Sequence, residues 1–287
     1  MSDLEAHRRR LFSIAYRMLG RAVEAEDMVQ ETFLRWHRAE PSQIRNEASW
    51  LTTTLTRLCI DQLRLARRQR EEYVGVWLPE PLLEDRSAPP SEDAALADTL
   101  GMAFLLMLET LSPIDRAVFL LREAFGHDYE SIAGIVGKSA ASCRQIVSRA
   151  KVRLARPDDQ KSSAHDEAER LVREFVEATR TGEMADLLRL LTEDAVLYSD
   201  GGGKVRAALL PIRGADRIAR MFIGLRRFHQ TAPPPVRWVR INGSLGALIR
   251  SGDGSRSAMT LALENGRVKA VFVVRNPDKL GGAHKFE

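Results

Sequence analysis

Apolar residues recur at intervals of three and four through the first part of the chain. Leu11, Ile14, Ala15 and Met18 form one set, Val29, Phe33 and Trp36 a second, and Leu51, Leu55 and Leu58 a third. This spacing predicts three amphipathic helices within residues 1–70. The stretch AEPSQIRNEAS, 39–49, separates the second from the third and carries the residue types of a loop. The periodicity then lapses over EEYVGVWLPEPLLEDRSAPPSED, 71–93, where Pro79, Pro81, Pro89 and Pro90 forbid a regular helix. There Glu71, Glu72, Glu80, Glu84, Asp85, Glu92 and Asp93 face Arg86 alone, which predicts an acidic linker with polyproline-like stretches. Helical spacing resumes at about 94 and runs to about 155.

After RPDDQKSSAH the pattern changes. Two helical segments, about 166–181 and 184–191, precede alternating β-branched runs: AVLYS, KVRAAL, VRWVRI, LGALIR, RSAMTLAL and RVKAVFVV. A helical GADRIARMFIGLRRF lies between the second and third runs. Helices followed by a curled antiparallel sheet predict an α+β domain. The fold class is therefore multidomain: an all-α domain over 1–70, the linker 71–93, a second all-α domain over 94–157, and an α+β cone over 158–287.

Composition narrows the function only slightly. The 287 residues carry 43 basic and 39 acidic groups, a formal net charge of +4, so the placement of charge matters more than its sum. No apolar run is long enough to span a membrane, and MSDLEAHRRRLF lacks the basic-then-apolar order of a signal peptide, so a cytoplasmic location is expected. Cys59 and Cys143 are far apart in helical patterns and give neither a disulfide framework nor a metal site; Cys143 falls on the apolar side of its helix, as a small buried hydrophobe would. No cofactor is implied.

The clearest chemistry lies in DYESIAGIVGKSAASCRQIVSRAKVRLARP, 128–157. A helix from about Asp128 to Val136 ends at Gly137, a residue suited to the positive φ of a helix terminus, and Ser139 can cap the next helix. In that second helix Cys143, Val147, Ala150 and Leu154 make an apolar stripe. Ser142, Arg144, Gln145, Ser148 and Arg149 point elsewhere, Lys138 and Arg153 add to the positive charge, and no acid occurs from 138 to 156. This is the plan of a helix-turn-helix, whose basic second helix enters a major groove. A second basic cluster, TRLCIDQLRLARRQR at 56–70, sets Arg57, Arg64, Arg67, Arg68 and Arg70 against Asp61 and suits a phosphate backbone. The acidic helix AVEAEDMVQETFLRW, 22–36, reads on composition alone as an ordinary surface helix.

The order and spacing of EAEDMVQETFLRWHR, ASWLTTTLTRLCIDQLR and DYESIAGIVGKSAASCRQIVSRA closely resemble the extracytoplasmic-function (ECF) class of bacterial sigma factors, over residues 1–157. The resemblance implies that Asp27, Gln30, Glu31, Phe33 and Leu34 grip core RNA polymerase. It implies that the basic helix (Arg57, Asp61, Arg64, Arg67, Arg68), with the preceding loop, reads the −10 element of promoter DNA, and that the helix-turn-helix reads the −35 element. Segment 56–70 holds no aromatic residue to stack on unpaired bases, worth roughly 1–3 kcal/mol each, so strand opening is expected to be weakly driven. The loop 39–49, through Gln43, Arg45 and Asn46, is assigned any flipped base.

The run DGGGK, 200–204, fails as a phosphate loop: Lys204 is followed by Val205, and no earlier glycine has the Walker spacing. A turn is the plain reading, yet three glycines also let a backbone lie very close to a partner. The linker offers one, since Tyr73 and Trp77 sit in a segment too short to bury them itself; Glu80 and Lys204 have complementary charge. The α+β domain resembles the SnoaL-like, NTF2-type cone fused to one ECF subfamily, whose members carry WLPEP, DGGGK and NPDKL motifs. All three are present: Trp77, Leu78, Pro79, Glu80 and Pro81; Asp200, Gly201, Gly202, Gly203 and Lys204; Asn276, Pro277, Asp278, Lys279 and Leu280. The resemblance implies a regulatory cone that docks on the linker and sigma domains, restrains them and is needed for full activity. The free protein is expected to be compact and monomeric, and a cone's apolar interior has room for a small-molecule ligand. Two other functions fit parts of the chain. One is a ligand-sensing helix-turn-helix regulator, which has no need of helix 22–36. The other is a SnoaL-type enzyme using Tyr198, Asp194 or His229, although a fold does not confer its relatives' chemistry.

Overall fold

The computed structural model describes residues 4–40, 44, 46–84, 101–154, 165–228, 235–251 and 254–282, and they fall into two units. The first unit joins the N-terminal helices to 105–158, and the second joins 73–104 to the C-terminal region.

In the first unit, α1 (Glu5–Leu19), α2 (Ala22–Arg38) and α3 (Glu47–Glu71) bury the predicted stripes, with Leu11, Ile14, Met18, Val29, Leu51 and Leu55 at 2% exposure or less. Gly20 closes α1 in the left-handed conformation, its N–H returning to the Tyr16 carbonyl. After α4 (Met102–Leu108) come α5 (Pro113–Glu123), α6 (Tyr129–Val136) and α7 (Ala140–Arg153). Ser112 caps α5 by accepting from the Asp115 N–H, and Pro113 at its first position loses no hydrogen bond. Cys59 and Cys143 are both fully buried, and burial pushes both thiols up, so neither is a ready nucleophile.

The first three helices and α5–α7 share a seam rich in arginine. Arg116 of α5, 3% exposed, donates through Nη1 to the Met18 carbonyl at 2.6 Å and to Glu109 Oε1 at 2.8 Å. Arg17 lies over the Phe125 ring at 5.0 Å, and Arg10 Nη2 meets His127 Nε2 at 3.1 Å.

In the second unit, α8 (His165–Thr181), α9 (Met184–Leu190) and α10 (Ala215–Phe228) pack on a seven-stranded sheet. Its strands are β1 (Leu83–Glu84), β2 (Leu191–Asp200), β3 (Ile212–Arg213), β4 (Val236–Ile241), β5 (Ser244–Arg250), β6 (Arg256–Glu264) and β7 (Arg267–Val274), in the order β1-β4-β5-β6-β7-β2-β3. Phe175, Leu197, Ile218, Ala247 and Val271 lie in the core between helices and sheet. Two expectations are corrected. The sheet is mixed, because β2 runs parallel to β7, reached through β3, α10 and three antiparallel strands. The run KVRAAL is not a strand: after Asp200 the chain turns, and pairing returns only at Ile212 and Arg213. The linker also adds β1 to the sheet, with Leu83 opposite Ile241.

Replacing Arg116 with Met removes the donor from the buried Met18 carbonyl and from the half-buried Glu109 carboxylate. The expected cost is about 3 kcal/mol to the helical unit. Urea unfolding followed by far-UV circular dichroism checks this through a lower first midpoint; an unchanged midpoint would show that Arg116 carries no such share.

Candidate functional site

The helix-turn-helix forms by capping at both helix starts. Asp128 accepts from the Ser131 N–H at 2.8 Å to open α6, Gly137 ends it at φ 66°, and Ser139 accepts from the Ser142 N–H at 3.1 Å to open α7. Val118, Leu121, Ile132, Ile135, Cys143, Ile146 and Val147 form the core beneath it. Among the assigned residues, Lys138, Gln145, Ser148 and Arg149 are exposed and Ser142 is half-buried beside Ser139. Arg144 bonds Glu130 at 3.2 Å and lies 5.1 Å from the Tyr129 ring centre, while Arg153 Nη1 reaches the Thr110 carbonyl at 3.5 Å. Arg144, Gln145, Ser148 and Arg149 therefore share one outer face of α7.

On α3, Asp61 and Arg64 form an exposed pair at 3.0 Å. Arg67 and Arg68 continue the helix, and their side chains lie outside the described residues, as do Gln43 and Arg45. Asn46 serves as a cap: its Oδ1 accepts from the Ser49 N–H at 2.9 Å. Arg57 is not turned to solvent alone. Its Nε and Nη2 donate to the carbonyls of Ile135 and Gly134, at 3.0 and 2.9 Å, so the basic helix is tied to the end of α6.

On α2, Asp27, Gln30 and Leu34 are exposed, Leu34 by 50%, and Glu31 is half-buried and pairs with Arg35. Phe33 turns inward at 9% exposure, with the Arg8 guanidinium 5.2 Å from its ring centre. Val23, 60% exposed, extends the outer face. This acidic-apolar surface faces away from the helical core.

The third site is where linker and cone meet. Asp200, fully buried, uses both oxygens twice. Oδ1 accepts from the Tyr73 hydroxyl at 2.6 Å and the Gly202 N–H at 3.0 Å. Oδ2 accepts from the Leu78 N–H at 2.9 Å and Lys279 Nζ at 2.7 Å. That fills the acceptor sites a carboxylate has. Lys279, 3% exposed, also donates to the Leu78 carbonyl at 2.5 Å and sits 4.2 Å from the Trp77 ring centre and 5.0 Å from that of Tyr73. Its charge is thus met by one carboxylate, one carbonyl and two ring faces. Asn276 donates to the Tyr73 hydroxyl at 2.9 Å.

The glycine run permits this approach. A Cβ on Gly202, at φ 61°, would fall 2.2 Å from Asn276 Nδ2, and one on Gly203 would fall 3.2 Å from Val74 of the linker. WLPEP, DGGGK and NPDKL therefore converge on one buried ion pair. Lys204 bonds Asp278 at 2.7 and 2.6 Å, and not Glu80 as charge sign suggested. Beyond this contact, Leu82 and Asn242 exchange hydrogen bonds at 2.8 and 2.9 Å, the second through backbone atoms.

Two stretches match known family models: residues 4–69 match Sigma-70 region 2, and 101–154 match Sigma-70 region 4. The chain is 33% identical to the ECF RNA polymerase sigma factor SigJ of Mycobacterium tuberculosis, over 99% of its own length and 94% of that protein's. The chain belongs to the ECF RNA polymerase sigma factors. The probable ECF sigma factor SigI of the same organism is 31% identical, across 96% of this chain and 92% of the relative. The crystal structure of SigJ superposes with a TM-score of 0.80 and 31% identity, covering 97% of each chain. Sigma factors act by binding. Of the residues considered for catalysis, Tyr198 stacks on Phe272 at 5.5 Å, Asp194 is exposed and paired with Lys269 at 2.6 Å, and His229 lies outside the described residues. Among the described residues no helix is long and apolar enough to cross a membrane, and no cluster of side chains suits a metal ion.

In this sigma factor, Asp200→Asn would leave the buried Lys279 ammonium without its counter-charge. The expected loss is about 3–5 kcal/mol of linker docking, and replacing both residues with apolar ones (D200L with K279M) should cost less than either single change. Chymotrypsin digestion of the full-length protein checks it: cleavage after Tyr73 and Trp77 should accelerate in D200N and less so in the double variant. Equal protection in all three would mean the pair does not hold the linker.

Proposed function

We propose that this sigma factor rests closed and must open to recognise a promoter, with the cone controlling the linker that sets how far its DNA-reading helices can part. Core RNA polymerase is assigned to the outer face of α2, through Asp27, Gln30, Glu31 and Leu34, with Phe33 shaping it from beneath. The −10 element is assigned to α3 and its N-terminal loop, and the −35 element to the outer face of α7. These interfaces belong in the cytoplasm, where the polymerase works, and the cone is assigned a small-molecule ligand.

The observation that carries the closed state is Arg57, a residue assigned to −10 DNA whose guanidinium is spent on the carbonyls of Gly134 and Ile135 in the helix-turn-helix. Elements centred at −10 and −35 are separated by about 85 Å of duplex, at roughly 3.4 Å per base pair. A compact unit of roughly 125 residues has a radius of gyration of only about 14 Å. Two readers held in contact cannot reach both elements at once. The connection from Glu71 to Met102, with 30 residues between the helices, spans at most about 100 Å when fully extended. That barely exceeds the required distance. Docking Tyr73, Leu78 and β1 on the cone shortens the free portion, so the lock and the reach of the readers compete.

Fluorescent labels on Leu65→Cys and Val152→Cys, both exposed positions on α3 and α7, test this. The buried native cysteines should remain unlabelled. Energy transfer should be high in the free protein and fall sharply when core polymerase and a promoter are added. High transfer persisting in a complex that makes transcripts would remove the closed-state reading.

A further inference from the structure

The cone contains a cavity of about 560 Å³, within the roughly 300–1,000 Å³ usual for small-molecule sites. Its walls are largely apolar, with Leu197 of β2, Phe222 of α10, Met259 of β6 and Val273 of β7 among them. Among the described residues the charges around it have one sign: Arg180, Arg206, Arg226, Arg250 and Arg275 line the cavity, and no described aspartate or glutamate does.

Several of these arginines lack the partners that would explain them. Arg180 pairs with Glu177, but among the described residues Arg206, Arg250 and Arg275 have no carboxylate within ion-pair distance. The Nε atoms of Arg180 and Arg275 are buried without an acceptor, and buried donors are ordinarily satisfied. Arg275 is otherwise held by the Arg206 backbone carbonyl and by Ser255 Oγ. Ser199 and Ser257, each 7% exposed, add hydroxyls to the lining. A merely solvated basic surface would not surround an apolar hollow of this size. Arginine suits a planar carboxylate, which its fork can grasp through two parallel hydrogen bonds.

We propose that the cavity binds an amphipathic monoanion, a medium-chain or aryl carboxylate whose apolar body fills the cone and whose carboxylate meets Arg206 and Arg250, with Arg275 behind them. The inference deepens the assignment of a ligand to the cone and rests on it. The cavity and the linker lock share backbone: Ser199 lines the cavity and Asp200 follows it, while the Arg275 N–H donates to the Asp200 carbonyl at 2.7 Å. Ala208 lines the cavity, and the Leu209 Cα next to it lies 3.6 Å from where a Cβ on linker Gly75 would stand. A ligand that shifts this segment acts directly on the docked linker.

Calorimetric titration of the full-length protein tests the proposal, with dodecanoate, dodecanol and dodecylammonium as probes, each below its micelle concentration, and 1-naphthoate as a second carboxylate. At least one carboxylate should bind one-to-one, and dodecanoate about ten-fold or more tighter than the alcohol, as a charge-assisted hydrogen bond provides, with the ammonium weakest. In Arg206→Gln/Arg250→Gln the carboxylate preference should vanish while the alcohol binds as before. Both residues are exposed, and the Arg206 backbone carbonyl is retained. Ala208→Trp should block every probe. Absence of carboxylate binding, equal affinity for acid and alcohol, or a preference that survives in the double variant would overturn the proposal. Energy transfer between the α3 and α7 labels separates the readings: carboxylate binding can fail while transfer still falls on the promoter, which sinks only the ligand, whereas carboxylate binding with high transfer persisting in a transcribing complex sinks the closed-state reading instead.

Discussion

The arrangement of the second unit depends on one buried ion pair, Asp200 with Lys279. Taking two charges out of water is costly, and mutual attraction repays the cost only when geometry is good and every remaining hydrogen-bonding site is filled. Here both conditions hold, because the linker supplies what the cone lacks. The Tyr73 hydroxyl, the Leu78 N–H and carbonyl, and the rings of Tyr73 and Trp77 all come from the linker. Without them the cone would keep the pair but lose half its solvation shell. The linker in turn has too little apolar surface to fold alone. Each side stabilises an arrangement that neither maintains separately, so docking is specific to this linker rather than a generic hydrophobic contact.

The seam within the helical unit has a different character. Arg116 and Arg17 are buried there, and burial holds both guanidinium groups down to about 10, still charged at neutral pH. Such a seam is held by hydrogen bonds and ring faces that water can replace when the halves part. A seam of leucines would resist parting in proportion to its area. An arginine seam defines one packed geometry yet opens at modest cost, which suits the opening proposed above.

Much of this was legible in the sequence where chemistry is local. The caps Asp128 and Ser139, the turn at Gly137 and the stripe of Cys143, Val147 and Ala150 are set by neighbours in the chain, and the helix-turn-helix follows from them. The convergence of linker, glycine run and terminal motif was legible only through family resemblance, since Tyr73 and Asn276 are 203 residues apart. Non-local choices were misread. Lys204 was matched with Glu80 by charge sign, and geometry gave it to Asp278. Phe33 is buried with Val29 as its spacing predicts, but its contact with Arg8 from another helix had no local signal. The segment 204–209 alternates like a strand, yet β7 already occupies the adjacent edge of β2 and the chain turns away. The cavity arginines had no signal at all, being scattered over five separate elements and loops.

The shared carboxylate also couples the cone's interior to the linker. A ligand that shifts the backbone between Ser199 and Arg206 by a few tenths of an ångström lengthens several hydrogen bonds to Asp200 together, because Gly202, Leu78, Tyr73 and Lys279 share that one carboxylate. Strong short hydrogen bonds around a buried charge lose energy steeply with distance, and their losses are coupled. On the proposed reading, a small displacement at the cavity would loosen the linker's hold on the cone, and the length of chain so freed is what the proposed opening requires.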